Sequence, residues 1–335
     1  MHKTWQALTQ AFQDRVPRLI PSACETCLAT NDASATHGTA SVSVGQEGGL
    51  LLKERFLPLV NSDERATEAK LAEYFQQAFS RFKPRALREF LADGDASSAE
   101  GFVNPSFEGI MNRNFVERFL SFFPGRPLKD YNTRFFAGKA GHVSHLHFDW
   151  KSQDNLLYQI SGKKVVSIYH PNRSLKLGLA GNISKKILGS VEIPPDHTFT
   201  LQAGDALFIP AFHWHEVLVL EDSASLSFRA FSDPLLGFLT DNLPPSYALV
   251  EMFDQYLSGH FEKDHLLQEV RKFCLEDTAL RKEDPRSEIN RLWRYGYEKY
   301  ALPRLLDNNA EIERLNKAPY MNIVSFGRHL NKLWD

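Results

Sequence analysis

A chain of 335 residues has room for one large domain or two modest ones, and it can bury a substantial core. Hydrophobic residues make up 43% and charged residues 24%, as in ordinary soluble globular proteins. The formal net charge is −2 and no long basic run occurs, so the composition does not call for nucleic acid as a partner. The chain has no apolar run of membrane-spanning length, and its N-terminus lacks the apolar core of a signal peptide. We therefore expect a cytoplasmic protein that does not bind a membrane.

The N-terminal part of the chain combines predicted helices with loops. Residues 3–16 carry apolar side chains at helical spacing, and residues 64–92 do the same, with an interruption at Pro84. Residues 29–49 are rich in Ala, Ser, Thr and Gly, which predicts a loop. Residues 101–126 are rich in aromatic side chains, and their spacing predicts helix in part.

Cys24 and Cys27 form an isolated CxxC motif. A structural zinc site normally needs four matched ligands, and only His37 and Cys274 are loose further candidates. Three cysteines in a chain of this size make no disulfide framework either. We therefore interpret these cysteines as unremarkable thiols.

From Tyr131 onward the apolar positions recur every second residue, which is typical of strands. Short runs then follow one another, separated by Gly, Asn, Ser or Pro, with a longer insertion at Pro171–Pro195. The predicted strands are Thr133–Ala137, Val143–Asp149, Leu156–Ser161, Lys164–Tyr169, Thr198–Gln202, Ala206–Pro210, Glu216–Leu220 and Ser225–Phe231. Repeated short strands with turn residues between them indicate a β-sandwich or a jelly-roll barrel.

After Pro234 the pattern becomes helical again. Helices are predicted over residues 246–276, 286–306 and 309–317, and this region is large enough to be a domain. The predicted organisation is an N-terminal helical and loop region at 1–100, a β core at 101–240 and a C-terminal helical region at 241–335.

His147 and Asp149 stand two residues apart in a predicted strand, so their side chains point to the same face. His215 lies on a later predicted strand. Two histidines and one carboxylate on one face of a metal, with the other positions open, form the site of non-haem Fe(II) oxygenases. Polar side chains that point into a barrel are costly without a partner, and a metal supplies one. We predict that His147, Asp149 and His215 bind one metal ion.

His145 and His213 are alternative ligands, since each shares the two-residue period of a predicted ligand. A site made of two histidines and a glutamate would pair His145 with His147, but residues 148–153 contain no glutamate. Hydrogen bonding around the metal is another role open to both histidines. His142 falls on the opposite face and is expected to be structural or exposed.

Three separated blocks resemble the JmjC and cupin-like family of Fe(II)- and 2-oxoglutarate-dependent oxygenases, asparaginyl hydroxylases in particular. The blocks are His147-x-Asp149, Asn155-Leu156-Leu157-x-Gln159-x-x-Gly162-x-Lys164, and Gly204-Asp205-x-Leu207-Phe208-Ile209-Pro210-x-x-x-Trp214-His215. The resemblance covers roughly residues 130–232. The family pattern places the later ligand after Trp214, which favours His215 over His213. Phe212 departs from the pattern, which usually has Gly there.

The resemblance implies a double-stranded β-helix, or jelly roll, flanked by helices. It also implies Fe(II), 2-oxoglutarate and O2, with hydroxylation of an unactivated C–H bond and release of succinate and CO2. By resemblance, Lys164 binds the distal carboxylate of 2-oxoglutarate with Ser144 as its hydroxyl partner, and Asn155 lies beside the metal-bound end. Arg229 is the alternative to Lys164, because other oxygenase families place an arginine on the last strand.

Family members of this type mostly hydroxylate side chains of proteins or peptides, so the resemblance implies such a substrate, with a small metabolite or a tRNA base as alternatives. The near-neutral charge counts against tRNA. The placement of the C-terminal helices resembles dimerisation regions in the family and implies a homodimer. Two rival functions are a non-catalytic cupin-like binding module and a metal-dependent cupin enzyme that uses no keto acid.

Overall fold

The structure is a computed structural model that describes residues 2–23, 41–45, 83–86, 98–102, 131–180, 183–184, 186, 192–242 and 247–280. The described helices are α1 (His2–Asp14), α2 (Ser174–Leu177), α3 (Pro234–Asn242), α4 (Tyr247–Leu257) and α5 (Lys263–Leu280), with a 3-10 turn at Pro171–Arg173. The described strands are β1 (Arg18–Ile20), β2 (Ser41–Gly45), β3 (Lys83–Ala86), β4 (Ser98–Phe102), β5 (Tyr131–Gly138), β6 (Val143–His147), β7 (Gln153–Tyr169), β8 (Gly178–Ala180), β9 (Ile183–Ser184), β10 (His197–Gln202), β11 (Ala206–Ile209) and β12 (Trp214–Phe231).

The long strands β7 and β12 pair with each other antiparallel from end to end, and each serves two sheets. Residues 153–161 of β7 and 224–231 of β12 lie in a sheet with the order β11-β7-β12-β5. The other halves of the same strands lie in a sheet with the order β10-β7-β12-β6. Two antiparallel sheets that share their long strands in this way form a jelly roll. The predicted fold class is confirmed.

Gly162 marks the point at which β7 passes from one sheet to the other. Its φ is +69°, and a Cβ at this position would lie 2.1 Å from the Asp222 carbonyl oxygen, so no other residue fits. At the same level β12 shifts its register against β7 between Val219 and Ser225. Register shifts of this kind bend strands at barrel corners. The sequence predicted separate strands on each side of these points, whereas the ladder continues through the bends.

The first sheet is wider than predicted. Strands β4, β2 and β3 continue it beyond β5, and β1 adds to β11. Residues 41–45 and 83–86 are therefore strands, and the predictions of loop and helix there are wrong. Val42 and Val44 alternate with serines, a strand pattern that the small-residue composition hid, and Pro84 is tolerated because β3 is an edge strand.

Residues 101–102, in the segment predicted to be partly helical, end strand β4. The other predictions for this part of the chain, and two for the C-terminal region, fall on residues that the structure does not describe. Outside the described residues lie Cys24, Cys27, the remainder of 29–49, 64–92 and 101–126, and the predicted helices 286–306 and 309–317. The domain boundaries remain a prediction.

Helices α3 to α5 pack against the barrel through one buried apolar cluster. The cluster joins Phe148 and Trp214, whose rings lie 4.7 Å apart edge to face, to helical side chains. The helical members include Leu236, Leu239, Leu249, Val250, Phe253, Leu266 and Val270. The helix predicted over 246–276 is two helices, because Gly259, with a φ of +75°, lies in the turn that follows α4. None of the described helices has the length and apolar character to cross a membrane.

The space between the two sheets has an apolar half and a polar half. The apolar half is a buried cluster of Leu157, Val166, Ile168, Leu201, Leu207 and Ile209. The polar half consists of side chains of β7 and β12 that are buried although they are polar or charged. They are Asn155, Gln159, Ser225, Ser227 and Arg229. Buried polar groups are costly unless they are hydrogen-bonded or meet a ligand, so this half is the natural place for a site.

Helix α1 is fastened to the barrel by an aromatic contact and a buried ion pair. The Phe12 and Phe208 ring centroids lie 6.1 Å apart. Arg15 Nη1 lies 2.7 Å from Oδ2 of Asp154, a side chain with no exposed surface. The second oxygen of Asp154 accepts a hydrogen bond from the Ala211 backbone N–H at 2.8 Å.

We expect Asp154→Ala to lower the free energy of unfolding by about 3–5 kcal/mol, because the substitution leaves the Arg15 guanidinium buried without its partner. Urea denaturation followed by tryptophan fluorescence measures the change. The exposed pair of Lys139 and Asp222, 3.1 Å apart, provides the control. Lys139→Ala should cost less than about 1 kcal/mol. Equal losses in the two variants would contradict the structural role of the buried pair.

Candidate metal and cosubstrate site

The pairing of β6 with β12 brings two histidines together. His147 is the last residue of β6 and lies opposite His215 in the ladder, near the start of β12. Their ring centroids are 4.4 Å apart, with the planes tilted by 55°. Residues about seventy apart in sequence thus become neighbours because the two strands are antiparallel partners.

Both histidines are held in the same orientation by the backbone. His147 Nδ1 lies 2.7 Å from the His145 carbonyl oxygen, and His215 Nδ1 lies 3.0 Å from the His213 carbonyl oxygen. A carbonyl only accepts, so each Nδ1 carries the proton and each Nε2 is left with a lone pair. Burial, and after it the nearby His147, lowers the pKa of His215 to about 4, so this ring is neutral at neutral pH. The histidines are therefore presented as metal ligands through Nε2.

Asp149 completes the group from just beyond the end of β6. The prediction placed Asp149 inside the strand, but β6 ends at His147. Arg229 Nη1 of β12 lies 3.1 Å from Oδ2 of Asp149. Burial alone would raise the pKa of Asp149, but the Arg229 guanidinium, followed by the two histidines, outweighs burial and holds this pKa well below its usual range. Asp149 is thus a carboxylate at any pH of interest.

The three side chains fit one metal ion. One candidate ligand atom from each of His147, Asp149 and His215 lies within 4.8 Å of the other two. Ligand atoms bound at about 2.1 Å to neighbouring positions of a common ion are about 3.0 Å apart, so the side chains move inward when they bind one ion. Two imidazoles and one carboxylate on one side of an ion leave the remaining positions for other ligands, which is the facial arrangement that suits Fe(II).

His145 and His213 do not belong to this group. A register shift in the pairing of β6 with β12 inserts one extra residue between Ser144, which lies opposite Val217, and His147. The two-residue period that was expected to align His145 with His147 is broken there. The ring of His213 packs edge-on against His170, with centroids 5.4 Å apart.

His142 is partly buried and lies near Lys164. Burial, followed by the charges of His145 and Lys164, lowers the pKa of His142 to about 4. The imidazole is therefore neutral at neutral pH and adds no positive charge beside the lysine. The sequence predicted that His142 is structural or exposed, and in the structure this residue is partly buried.

Lys164 lies on the inner face of the second half of β7, paired with Val219 and Leu201. It is 5% exposed, and its Nζ donates to Ser225 Oγ at 2.8 Å. Burial lowers its pKa to about 7. No carboxylate of a described residue pairs with this ammonium. A buried cation that meets only a hydroxyl is suited to an anionic ligand.

The other predicted cosubstrate residues occupy two places. Ser144 lies opposite Val217, two positions along β12 from the partner of Lys164. Asn155 lies opposite Arg229 in the ladder, and its side chain accepts from Ser227 Oγ at 2.9 Å. The structure thus brings Asn155 and Arg229 together near the metal group and leaves Lys164 at the other end of the inner face.

Ser225 and Ser227 are site residues that the sequence reading did not single out. Both are fully buried, and each bonds a predicted site residue. A signal for them exists in the sequence of β12, where every second residue from Ser223 to Arg229 is polar and the residues between are apolar or alanine. That alternation predicts a strand with a polar inner face.

Phe212 adopts a φ of +66°, the left-handed region for which the family pattern usually supplies Gly. A side chain in this region costs about 1–2 kcal/mol. The Phe212 ring is 1% exposed and packs on Phe253 at 5.6 Å and on Trp150 at 6.5 Å. Burial of a phenylalanine contributes about 1.5–3 kcal/mol, which is enough to offset the strain.

The sequence profile of the cupin-like domain family matches residues 52–231, more than half of the chain. The chain belongs to the cupin-like family. The predicted family is confirmed. Phe212 therefore replaces the usual Gly within a cupin-like protein and is not evidence for another fold.

Curated relatives of this cupin-like protein carry two kinds of name. The zebrafish (Danio rerio) tRNA wybutosine-synthesizing protein 5 is 29% identical over 176 residues, which cover 50% of each chain. The zebrafish Lysine-specific demethylase 8 is 33% identical over 112 residues, covering 30% of this chain and 27% of the relative. The chain therefore spans half or less of the length of these relatives. KdgF from Halomonas sp. is 15% identical and covers 42% of this chain and 84% of its own, but a TM-score of 0.25 gives that likeness no weight.

The stability of the cupin-like protein should depend on pH through Lys164. The folded-state pKa of about 7 is below the ordinary value of 10.5, so the unfolded chain binds more protons between these pH values and stability rises with pH across this window. From pH 7 to pH 9 we expect the parent to gain about 2 kcal/mol relative to Lys164→Met. Urea denaturation at both pH values measures this difference.

Lys163→Met is the matched control, because Lys163 is the neighbouring residue on β7 and is less buried. This variant should follow the parent at both pH values. The free energies of unfolding of the parent and of Lys164→Met could instead differ by the same amount at pH 7 and pH 9. That result would show that Lys164 is not buried as a cation.

Proposed function

We propose that the protein is an Fe(II)- and 2-oxoglutarate-dependent oxygenase that hydroxylates an unactivated C–H bond. The observation that carries this proposal is the presence of two separate features on one inner face. At one end His147, Asp149 and His215 converge within 4.8 Å. At the other end Lys164 is a buried cation with a hydroxyl partner. A metal-binding dicarboxylate uses both features at once.

The residues of the chain have distinct tasks in this function. His147 and His215 each turn Nδ1 to a backbone carbonyl and keep Nε2 for a metal, and Asp149 presents a carboxylate that stays ionised. Bound iron and 2-oxoglutarate would supply the oxidising power for C–H hydroxylation, with release of succinate and CO2. The buried apolar cluster in the other half of the interior offers water no hydrogen-bond partners.

We assign the distal carboxylate of 2-oxoglutarate to Lys164 rather than to Arg229. The guanidinium of Arg229 is already engaged by Asp149, whereas the hydrogen-bond partner of Lys164 among the described residues is the neutral Ser225 hydroxyl. A carboxylate next to Lys164 would also remove the cost of burying this ammonium. Ser144, one row away on the inner face, is proposed as a further hydroxyl for this ligand.

For the oxidised substrate we propose a side chain of a peptide or protein. The net charge of −2 suits this class better than a polyanion, and the higher of the two identities is to a relative named as a lysine-specific demethylase. A tRNA base is the second candidate, because the longer match is to a tRNA wybutosine-synthesizing protein. A small metabolite has no specific observation in its favour.

Each of the two rival functions would leave one of these two features without a role. A non-catalytic cupin-like binding module would not need three ligand-type side chains within reach of one ion. A metal-dependent cupin enzyme that uses no keto acid would not need an ammonium buried behind the metal group. Both features together therefore favour an oxygenase that takes a dicarboxylate cosubstrate.

Anaerobic addition of Fe(II) and then 2-oxoglutarate should produce a weak visible charge-transfer band, and admission of oxygen should release succinate. His147→Ala should abolish both signals, because a facial site with two ligands holds iron poorly. Lys164→Ala should keep the ability to bind iron but raise the 2-oxoglutarate concentration for half-maximal turnover by about 30-fold or more. Absorption spectroscopy and succinate assays give these values.

A parent protein without the band would favour the rival functions. A Lys164→Ala variant with the parent's requirement for 2-oxoglutarate would show that the distal carboxylate binds elsewhere. Lys163→Ala is the matched control for the loss of a lysine on the same strand.

Incubation with Fe(II), 2-oxoglutarate and a panel of candidate peptides should add one oxygen atom to a peptide, detected by intact-mass spectrometry. A parallel incubation with total tRNA, digested to nucleosides before mass analysis, tests the second candidate. We expect the peptide reaction to require oxygen and to disappear in His147→Ala. Oxygen gain on a nucleoside but on no peptide would assign the protein to the tRNA class.

A further inference from the structure

Asn155, Ser227 and Arg229 form a hydrogen-bonded chain that ends on Asp149. Ser227 Oγ donates to Asn155 Oδ1 at 2.9 Å, and Arg229 Nε donates to Ser227 Oγ at 2.8 Å. Arg229 Nη1 then reaches Asp149 Oδ2 at 3.1 Å. Asn155 and Arg229 are cross-strand partners in one sheet, while Asp149 follows a strand of the other. The chain therefore crosses the gap between the sheets.

The direction of every bond in this chain follows from arginine. A guanidinium can only donate, so Ser227 must accept from Arg229 and give its one hydrogen to Asn155. Asn155 must then present its Oδ1 to Ser227, which fixes the amide orientation that coordinates alone leave ambiguous. The Asn155 amide thereby keeps its Nδ2 group as a donor for the interior. The residues are 5%, 0% and 7% exposed for Asn155, Ser227 and Arg229, so water competes little with these bonds.

The same chain divides the two oxygens of Asp149. Oδ2 shares its lone pairs with the Arg229 cation, which makes it the poorer metal ligand. Oδ1 would then be the oxygen that binds an ion. A carboxylate held in this way binds through one oxygen, and one-oxygen binding leaves more coordination positions open for other ligands.

We propose that Arg229, Ser227 and Asn155 are positioning residues that hold Asp149 as a one-oxygen metal ligand. This inference rests on the proposed function for the presence of a metal, but it concerns residues that need not touch the metal. Hydrogen-bond partners of metal ligands typically control affinity by about 10- to 100-fold. Loss of any link should therefore weaken metal binding even though His147, Asp149 and His215 remain.

Ser227→Ala is the decisive variant, with Ser223→Ala as its matched control. Both remove a buried hydroxyl from β12, but Ser223 Oγ has no hydrogen-bond partner in the described part of the chain. With Co(II) as the probe, titrated by calorimetry, Ser227→Ala should raise the dissociation constant about 10- to 100-fold. The visible spectrum of bound Co(II) should also change, because the coordination of Asp149 is no longer restricted. Ser223→Ala should match the parent in affinity and spectrum.

Arg229→Lys tests the same chain from its other end and guards against misfolding of the first variant. Lysine retains a positive charge opposite Asp149 but has one nitrogen in place of the two with which Arg229 reaches Ser227 and Asp149. We expect a loss like that of Ser227→Ala, and a double variant no weaker than the weaker single variant, as for residues that act as one unit.

Parent affinity and spectrum in Ser227→Ala, or additive losses in the double variant, would overturn the positioning chain while the metal centre stands. A parent protein that binds no Co(II) would overturn the metal centre of the proposed function and the chain with it.

Discussion

The antiparallel ladder between β7 and β12 is the constraint on which the site depends. Each strand runs through both sheets, so the position of the bends at Gly162 and after Val219 decides which residues face each other across the interior. Lys164 and Arg229 lie on opposite sides of these bends, and as a result their charged ends serve different parts of the pocket. A shift of one residue in this ladder would turn the whole inner row outward.

Burial of polar and charged side chains in the interior costs free energy that an entirely apolar interior would not cost. Asn155, Gln159, Lys164, Ser225, Ser227 and Arg229 are all buried. Most of these groups bond to one another in two separate sets, Lys164 with Ser225, and Asn155 with Ser227 and Arg229, and these bonds restrict their conformations. Lys164 differs from the other groups because it is a cation whose hydrogen-bond partner, the Ser225 hydroxyl, is neutral. This mismatch is what connects the architecture to the binding of an anion.

The helical layer supports the metal group from behind. His147 and Asp149 face the interior, while Phe148 is fully buried in the cluster shared with the helices. Trp150 donates from Nε1 to the Thr240 carbonyl oxygen of α3 at 2.8 Å. Asp149, which lies beyond the end of its strand, is thus flanked by two anchored aromatic residues. The rigidity that the strand no longer provides comes from packing on the helices.

Much of the jelly roll and the metal group could be predicted from local patterns. The two-residue period marked most strands from Tyr131 to Phe231, and the spacing of His147, Asp149 and His215 identified three side chains that the structure brings together. Other features could not be predicted in this way. The bulge that separates His145 from the row of His147, and the edge strand that contains Pro84, depend on how strands pair.

The sequence by itself determined the alternation of inward and outward side chains, because backbone geometry imposes the period on each strand separately. Tertiary structure alone decided which inward residues meet. In the folded chain Asp149 contacts Arg229, Lys164 contacts Ser225 and Asn155 contacts Ser227. These partners come from strands distant in sequence, which face one another only after the two sheets have closed.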